Sequence, residues 1–189
     1  MALPFRHTAG FGKRIEYWIV GQMLKEGLDV YLPLVDDDGI DGIIRRPDGS
    51  FTEFQIKSRS KDVIMGDAAL FAALVHEPRK NYWFIFYSER LDKMWIMTSD
   101  EFVKEAYQNK TGKNVGKRSV WFNGTRKDKE TGEPKEYVKP KWEKYLATNF
   151  ERLKKVSKHG KTRLSKRSTH SIPDQAFRLP GNTNNPVLP

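Results

Sequence analysis

Polar side chains occupy every second position in one stretch of the sequence, and their types could hold a metal ion. The stretch is residues 51–58, and its polar positions are Glu53, Gln55 and Lys57. Period-two alternation predicts a β-strand with one polar face and one apolar face. The turn-forming sequence Pro-Asp-Gly at residues 47–49 predicts a hairpin that pairs this strand with residues 40–44. An ordinary hairpin with one solvated face would show the same pattern.

The second interpretation is a reactive site that includes Asp41, on the first strand of the hairpin. The carboxylate of Asp41 and the amide oxygen of Gln55 are hard ligands of the kind that divalent cations prefer. Lys57, one pleat further along, could orient water or neutralise charge that develops on a phosphate group. Glu53 shares the polar face but precedes the Gln-Ile-Lys triplet, so we expect it to support the site rather than to bind the metal.

A further carboxylate lies on the apolar side of the first predicted helix, residues 12–27. At about 100° per residue, Glu16 falls on the apolar arc between Val20 and Met23. A carboxylate that faces a core costs free energy unless a partner compensates its charge. The partner of Glu16 is therefore either a basic side chain in a structural salt bridge or a metal ion.

These residues also carry a family resemblance. The sequence D-G-I-D-G at residues 38–42, followed by F-Q-I-K-S at residues 54–58, resembles the PD-(D/E)xK nuclease superfamily. It is most similar to a bacterial branch with Gln at the third motif position. In overall order it is also similar to the archaeal Holliday-junction resolvases. The resemblance spans roughly residues 12–98.

The resemblance implies a fold, a metal and a reaction. The fold would be α/β and restriction-endonuclease-like, with a mixed central β-sheet flanked by helices. The site would bind Mg²⁺ or Mn²⁺ through Asp41, the side-chain oxygen of Gln55 and the backbone carbonyl of Ile56, completed by Glu16 on the first helix. Lys57 would position the attacking water or stabilise the charged transition state. The reaction would be endonucleolytic hydrolysis of phosphodiester bonds in DNA, catalysed by Glu16, Asp41, Gln55 and Lys57.

Glutamine in the motif makes the site one negative charge poorer than a version with Asp or Glu, so we expect weaker metal binding. Two other functions remain open. The first is a nuclease fold that has lost catalysis and binds nucleic acid as a module. The second is an interaction subunit of a defence or recombination system, in which the basic half of the chain binds an acidic partner.

The net charge of +10 is distributed unevenly along the 189 residues. Residues 1–100 contain 13 Lys/Arg against 15 Asp/Glu, whereas residues 101–189 contain 21 against 9. A nearly neutral first half and a basic second half are typical of a catalytic core joined to a polyanion-binding surface. DNA is therefore the expected partner, and a merely soluble basic surface is the alternative.

The elements predicted outside the hairpin form one domain over residues 1–156, followed by a tail. We expect a strand at 28–35, a helix at 67–75 that ends near His76, strands at 81–87 and 93–98, a helix from Ser99, a basic excursion at 108–140 and a helix at 141–156. In the excursion, Trp121 and Phe122 could stack on exposed bases. The basic, then Pro- and Asn-rich tail at 157–189 is expected to be flexible.

Some classes of protein are excluded by composition. The chain has no cysteine, so it has no disulfide framework and no thiolate metal site. It contains no run of about 18 apolar residues, so we expect no membrane span and a cytoplasmic location. Two-fold DNA substrates favour a homodimer, although no interface can be identified from the sequence.

Overall fold

The structure is a computed structural model that describes residues 8–35 and 38–154. The predicted tail at 157–189 and the last two residues of the predicted 141–156 helix lie outside the described residues. Within the described ranges, no helix is long and apolar enough to cross a membrane.

The described chain contains three α-helices and eleven β-strands, many of them short. In chain order they are α1 (Thr8–Lys25), β1 (Asp29–Tyr31), β2 (Gly42–Arg45), β3 (Phe51–Arg59), β4 (Leu70–Leu74), β5 (Tyr82–Ser88), β6 (Lys93–Thr98), α2 (Ser99–Glu105), β7 (Tyr107–Gln108), β8 (Arg118–Trp121), β9 (Asn123–Lys127), β10 (Pro134–Val138), β11 (Leu146–Ala147) and α3 (Glu151–Lys154). Two 3₁₀ helices lie at Gly112–Asn114 and Pro140–Tyr145.

A six-stranded mixed sheet in the order β1-β2-β3-β5-β6-β11 is the centre of the fold. Strands β3 and β5 are parallel, and the other neighbours in this sheet are antiparallel. Strands β4, β8 and β7 form a second, three-stranded sheet, and β9 pairs with β10. The predicted α/β fold with a mixed central sheet and flanking helices is therefore confirmed.

Each face of the central sheet has its own apolar cluster. On one face, Ile19 and Met23 of α1 pack with Phe54 and Ile56 of β3. On the other face, Phe84 and Phe86 of β5 pack with Phe102 of α2, with Phe122 and with Trp142. The strands therefore alternate between two buried surfaces, as expected for a sheet that is covered on both sides. Helix α1 is held by its apolar arc, as the sequence predicted.

The helix predicted at 67–75 is wrong. The chain instead forms β4, which pairs with β8 across a register shift between Phe71 and Leu74. Ala69 donates its N–H to the Asn123 side chain at 3.0 Å, and its carbonyl accepts from the N–H of Phe122. Partners more than 50 residues away thus override the helix propensity of the alanines.

His76 consequently does not lie at a helix end. It follows β4 and packs against the rings of Tyr82, Phe84 and Phe102, with edge-to-face geometry to the two phenylalanines. Its Nε2 lies 2.7 Å from the hydroxyl oxygen of Ser99.

The helix predicted at 141–156 is also wrong. The apolar stripe read from the sequence is buried, but its two ends contact opposite faces of the sheet. Trp142 and Tyr145 belong to the α2 side, whereas Phe150 and Leu153 belong to the α1 side. One straight helix cannot contact both faces, so the chain crosses the sheet edge as β11, paired with β6.

Candidate active site

Asp41 stands where β2 begins and the chain diverges from β3. Its backbone N–H donates to the carbonyl of Phe54 at 2.9 Å. Its carboxylate oxygen Oδ2 accepts the backbone N–H of Ile56 at 2.6 Å. The side chain therefore takes the place of a ladder carbonyl that β2 no longer supplies. This bond fixes a carboxylate beside the Gln-Ile-Lys triplet.

Two glycines of the D-G-I-D-G segment make close approaches to β3. Gly39 has φ +69°, and a Cβ on it would lie 2.6 Å from Nε2 of Gln55. A Cβ on Gly42 would overlap the ring of Phe54. The hydroxyl of Tyr82 donates to the carbonyl of Gly39 at 2.6 Å. The segment can lie against Gln55 and Phe54 because both positions lack a side chain.

Glu16 and Asp41 line one cavity of about 250 Å³, between α1 and the segment that leads into β2. Glu16 forms an ion pair with Lys13, one turn earlier on α1. The hydrogen bond that Lys13 donates to Glu16 raises the pKa of Lys13, burial opposes that rise, and the charge of Asp41 adds to it. The basic partner considered for Glu16 is therefore present, and both carboxylates act on the same ammonium group.

The predicted alternation of β3 is confirmed. Phe54 and Ile56 are buried, whereas Glu53, Gln55 and Lys57 are half-buried. In the parallel ladder, Gln55 lies opposite Phe84 and Lys57 opposite Phe86, so both polar side chains share the α2 face of the sheet. Within residues 8–35 and 38–154, the Lys57 ammonium has no hydrogen-bond or ion-pair partner.

The structure brings some of the predicted site residues into contact and leaves others linked only by their position on a strand. Asp41 is bonded to Ile56 and shares a cavity with Glu16. Gln55 lies against Gly39, two residues before Asp41. Lys57 is linked to the others only by its place on β3, two residues after Gln55 on the same face. The assignment of these residues to one catalytic site stays a prediction.

The donor set fits a hard divalent cation in its chemistry. Among the described residues, no group of three or more His, Cys, Asp or Glu side chains is arranged to hold a metal ion. The predicted set contains only two carboxylates, Glu16 and Asp41, and takes its other oxygens from the Gln55 amide and the Ile56 carbonyl. Such all-oxygen sets suit Mg²⁺ and Mn²⁺.

Lys13 is the residue that the sequence reasoning missed at this site. The sequence does contain a signal for this ion pair, because Lys13 and Glu16 are oppositely charged and three residues apart on a predicted helix, so their side chains face each other.

The basic excursion at 108–140 contains strands β8, β9 and β10. Arg126, Lys127 and Lys135 are exposed on the β9–β10 hairpin. Phe122 cannot stack on bases as predicted, because it is fully buried against Trp95 at 4.5 Å between ring centroids. Trp121 is 44% exposed, and the Lys139 ammonium lies 4.1 Å from its ring centroid.

No family model and no curated protein matches the chain. Among solved structures, the bacterial homing endonuclease I-Ssp6803I is similar to it with a TM-score of 0.43 and 19% sequence identity. The match covers 59% of this chain and 88% of that chain. At this identity and TM-score, the likeness does not establish a shared activity.

Proposed function

We propose that this protein is an endonuclease that hydrolyses phosphodiester bonds in DNA with the help of Mg²⁺ or Mn²⁺. The observation that carries the proposal is the hydrogen bond between Asp41 and the Ile56 N–H. It holds a carboxylate beside the strand that bears Gln55 and Lys57. The cavity that Asp41 shares with Glu16 supports the proposal with a second acid.

Four groups would hold the metal: the carboxylates of Asp41 and Glu16, the Gln55 amide oxygen and the Ile56 carbonyl. When bound, the metal supplies a water of lowered pKa and screens the charge of the phosphate. To bind the metal, Glu16 would either contact the metal and Lys13 together or give up its ion pair with Lys13. Lys13 pairs with Glu16, and its ammonium also interacts with the charge of Asp41.

Lys57 has the second role in the proposal. Because its ammonium has no partner within the described residues, it is available to position the attacking water or to stabilise charge on the phosphate oxygens. Its stem lies on the same face of β3 as Gln55. A cation next to a metal-held phosphate stabilises the transition state more than the ground state.

The basic second half of the chain would bind the DNA backbone. Arg126 and Lys127 are exposed on the β9–β10 hairpin and would contact phosphates, whereas the ammonium of Lys135 lies 3.4 Å from Asp128. Such contacts give affinity and position the duplex, but they carry no sequence information.

The test of the proposal is a cleavage assay on linear, branched and single-stranded DNA with Mg²⁺, Mn²⁺ or EDTA. The variant to test is Asp41→Asn rather than Asp41→Ala, because Asn keeps an oxygen that accepts the Ile56 N–H while the negative charge is removed. We expect cleavage only with metal, and a loss of about 100-fold or more in Asp41→Asn. Asp48→Asn is the matched control, since Asp48 lies in the turn and bonds to Ser50.

Lys57→Ala separates chemistry from binding. We expect it to abolish cleavage and to leave DNA affinity nearly intact, because Lys57 is one of 34 basic residues. Lys93→Ala, at an exposed position on β6, should change neither. Cleavage that survives Asp41→Asn combined with Lys57→Ala would refute the proposed site. DNA binding without cleavage of any substrate, with either metal, would favour the binding-module alternative.

A further inference from the structure

The loop between β3 and β4, residues 60–69, carries two bulky apolar side chains at its tip. Ile64 is 74% exposed and Met65 is 54% exposed, whereas Ala68 and Ala69 of the same loop are fully buried. Scattered single apolar residues are ordinary on a protein surface. Two adjacent ones at the tip of a loop are a candidate contact surface.

The first half of this loop is held in place by Arg90. Its guanidinium donates to the carbonyl of Lys61 through Nε at 2.8 Å and Nη2 at 2.6 Å, and to the carbonyl of Ile64 through Nη1 at 3.2 Å. The Lys61 N–H in turn donates to the Glu89 carboxylate at 2.9 Å. The loop backbone is thus bonded to the turn that joins β5 and β6.

Gly66 fixes the other end of the tip. Its N–H donates to the Glu136 carboxylate at 2.6 Å, and its carbonyl accepts from the Trp121 indole at 2.8 Å and the Asn123 amide at 2.9 Å. Its φ of +96° is a conformation that glycine adopts readily. A tip that is fixed in this way before it binds a partner loses little conformational entropy on binding.

Cations lie around the apolar tip. Lys61 is exposed within the loop. The Lys139 ammonium lies 4.1 Å from the centroid of the indole ring that bonds to Gly66. Lys127 is exposed on β9, two residues after Thr125 and therefore on the same strand face. That face meets the loop, since a Cβ on Gly66 would lie 3.6 Å from the Thr125 methyl group.

Most acids near the tip are used to hold the loop. Glu89 bonds to the Lys61 N–H, and Glu136 pairs with Arg90 at 3.4 Å. Asp62 is the exposed acid of the loop. Three lysines against one exposed acid make the surroundings of the tip complementary to a polyanion.

The loop lies on the face of the central sheet that bears the predicted catalytic strand residues. It begins three residues after Lys57. Phe71, on the strand that follows the loop, packs in the cluster that contains Phe84 and Phe86. Those two residues lie opposite Gln55 and Lys57 in the parallel ladder. A duplex that approaches the candidate site on this face can therefore contact the tip.

We propose that Ile64 and Met65 form a wedge that enters a DNA duplex between two stacked base pairs, while Lys61, Lys127 and Lys139 bind the flanking phosphates. The stacked faces of bases are apolar, so bulky apolar side chains can replace them. Such a wedge unstacks one step at a cost of about a few kcal/mol and kinks the duplex. The inference rests on the proposed function for its substrate, DNA, and adds that the protein binds this substrate in an unstacked, kinked form.

Fluorescence of 2-aminopurine tests the wedge, because this base brightens when it is unstacked. Full-length protein is bound in EDTA to linear and branched duplexes that carry the probe at successive positions. We expect wild type to raise the fluorescence about twofold or more at one or more positions. Ile64→Ser combined with Met65→Ser should abolish the rise. Leu24→Ser, at a 54% exposed position on α1, is the matched control and should keep it.

The salt dependence of binding separates the wedge from the phosphate contacts. The double serine variant should bind DNA about tenfold more weakly with an unchanged log–log slope, because it removes no cation. Lys61→Ala should instead lower the slope by about 0.9 and keep the fluorescence rise at saturation. An unchanged Tm in each variant checks that these exposed substitutions leave the fold intact.

DNA cleavage with Mg²⁺ or Mn²⁺ tests the proposed function separately. Cleavage without a fluorescence rise would overturn the wedge alone. A rise that depends on Ile64 and Met65, without cleavage, would support the wedge and contradict the nuclease. An equal rise in the double variant, or no binding to DNA at all, would overturn the wedge and leave a protein as the partner of the apolar tip.

Discussion

Asp41 has a structural role as well as the proposed chemical role. Its Oδ2 accepts the Ile56 N–H at 2.6 Å, so removal of the side chain would leave a strand donor without its partner. Loss of activity in an alanine variant would therefore mix folding with chemistry. The substitution to Asn separates the two, because it changes charge and keeps the acceptor.

The half-buried side chain of His76 makes stability depend on pH. Burial lowers the pKa of His76 from 6.5 to about 4, with smaller contributions from Arg79 and Arg118. Because the unfolded state takes up the proton first, the contribution of His76 is complete above pH 6.5 and is lost as the pH falls towards 4.

We expect wild type to lose up to about 2 kcal/mol more of its free energy of unfolding between pH 7.5 and 5 than His76→Phe loses. Urea unfolding of both proteins at the two pH values measures this difference. Parallel losses would mean that His76 titrates normally in the folded state.

At the scale of elements, local patterns predicted local structure and failed where distant partners decide. The β2–β3 hairpin was predictable because alternation and turn chemistry lie within 20 residues. The same holds for α1 and for β5 and β6. The segment at 67–75 became β4 because β8, some 50 residues later, pairs with it. The stripe at 141–156 was correctly read as buried, but the sequence does not reveal that it contacts two faces.

The candidate site was predictable to a similar extent. The motif residues were found from their types and spacing, whereas the roles of the glycines required the fold. Gly39 and Gly42 approach Gln55 and Phe54 across the hairpin, and no local signal indicates which side chain they meet.

Gly42→Ala tests this packing. The added Cβ would overlap the fully buried Phe54 ring, so we expect a loss of about 1–3 kcal/mol in the free energy of unfolding. Gly21→Ala is the matched control, because a Cβ at this exposed helical position would have no neighbour within 4 Å. It should stabilise the protein by about 0.5–1 kcal/mol. A Gly42→Ala variant as stable as wild type would contradict the described contact.

Across the whole molecule, charge and structure are divided along the chain. The first 100 residues supply five of the six strands of the central sheet, namely β1, β2, β3, β5 and β6, and all the predicted catalytic residues, and their net charge is −2. The remaining residues supply the β9–β10 hairpin and a net charge of +12. Under the proposal, the acidic metal ligands lie in the part of the sequence with little net charge, and the polyanion would be attracted by the basic part.

Deletion of residues 157–189 removes six Lys/Arg and one Asp. We expect weaker DNA binding and a flatter salt dependence, with a decrease of about 0.9 in the log–log slope for each lost phosphate contact on duplex DNA. A full-length variant with those six residues changed to Gln is the control for chain length. An unchanged slope in both proteins would show that this segment does not contact DNA.

The manganese dependence of DNA cleavage tests the proposed metal centre most directly. Gln55→Glu adds the missing negative charge at a near-identical shape, so the Mn²⁺ concentration needed for half-maximal cleavage should fall about tenfold, with activity kept or improved. Glu16→Gln removes a charge and should raise that concentration by about 10–100-fold. The same Mn²⁺ requirement in wild type and both variants, or cleavage that persists in EDTA, would contradict a metal held by these residues.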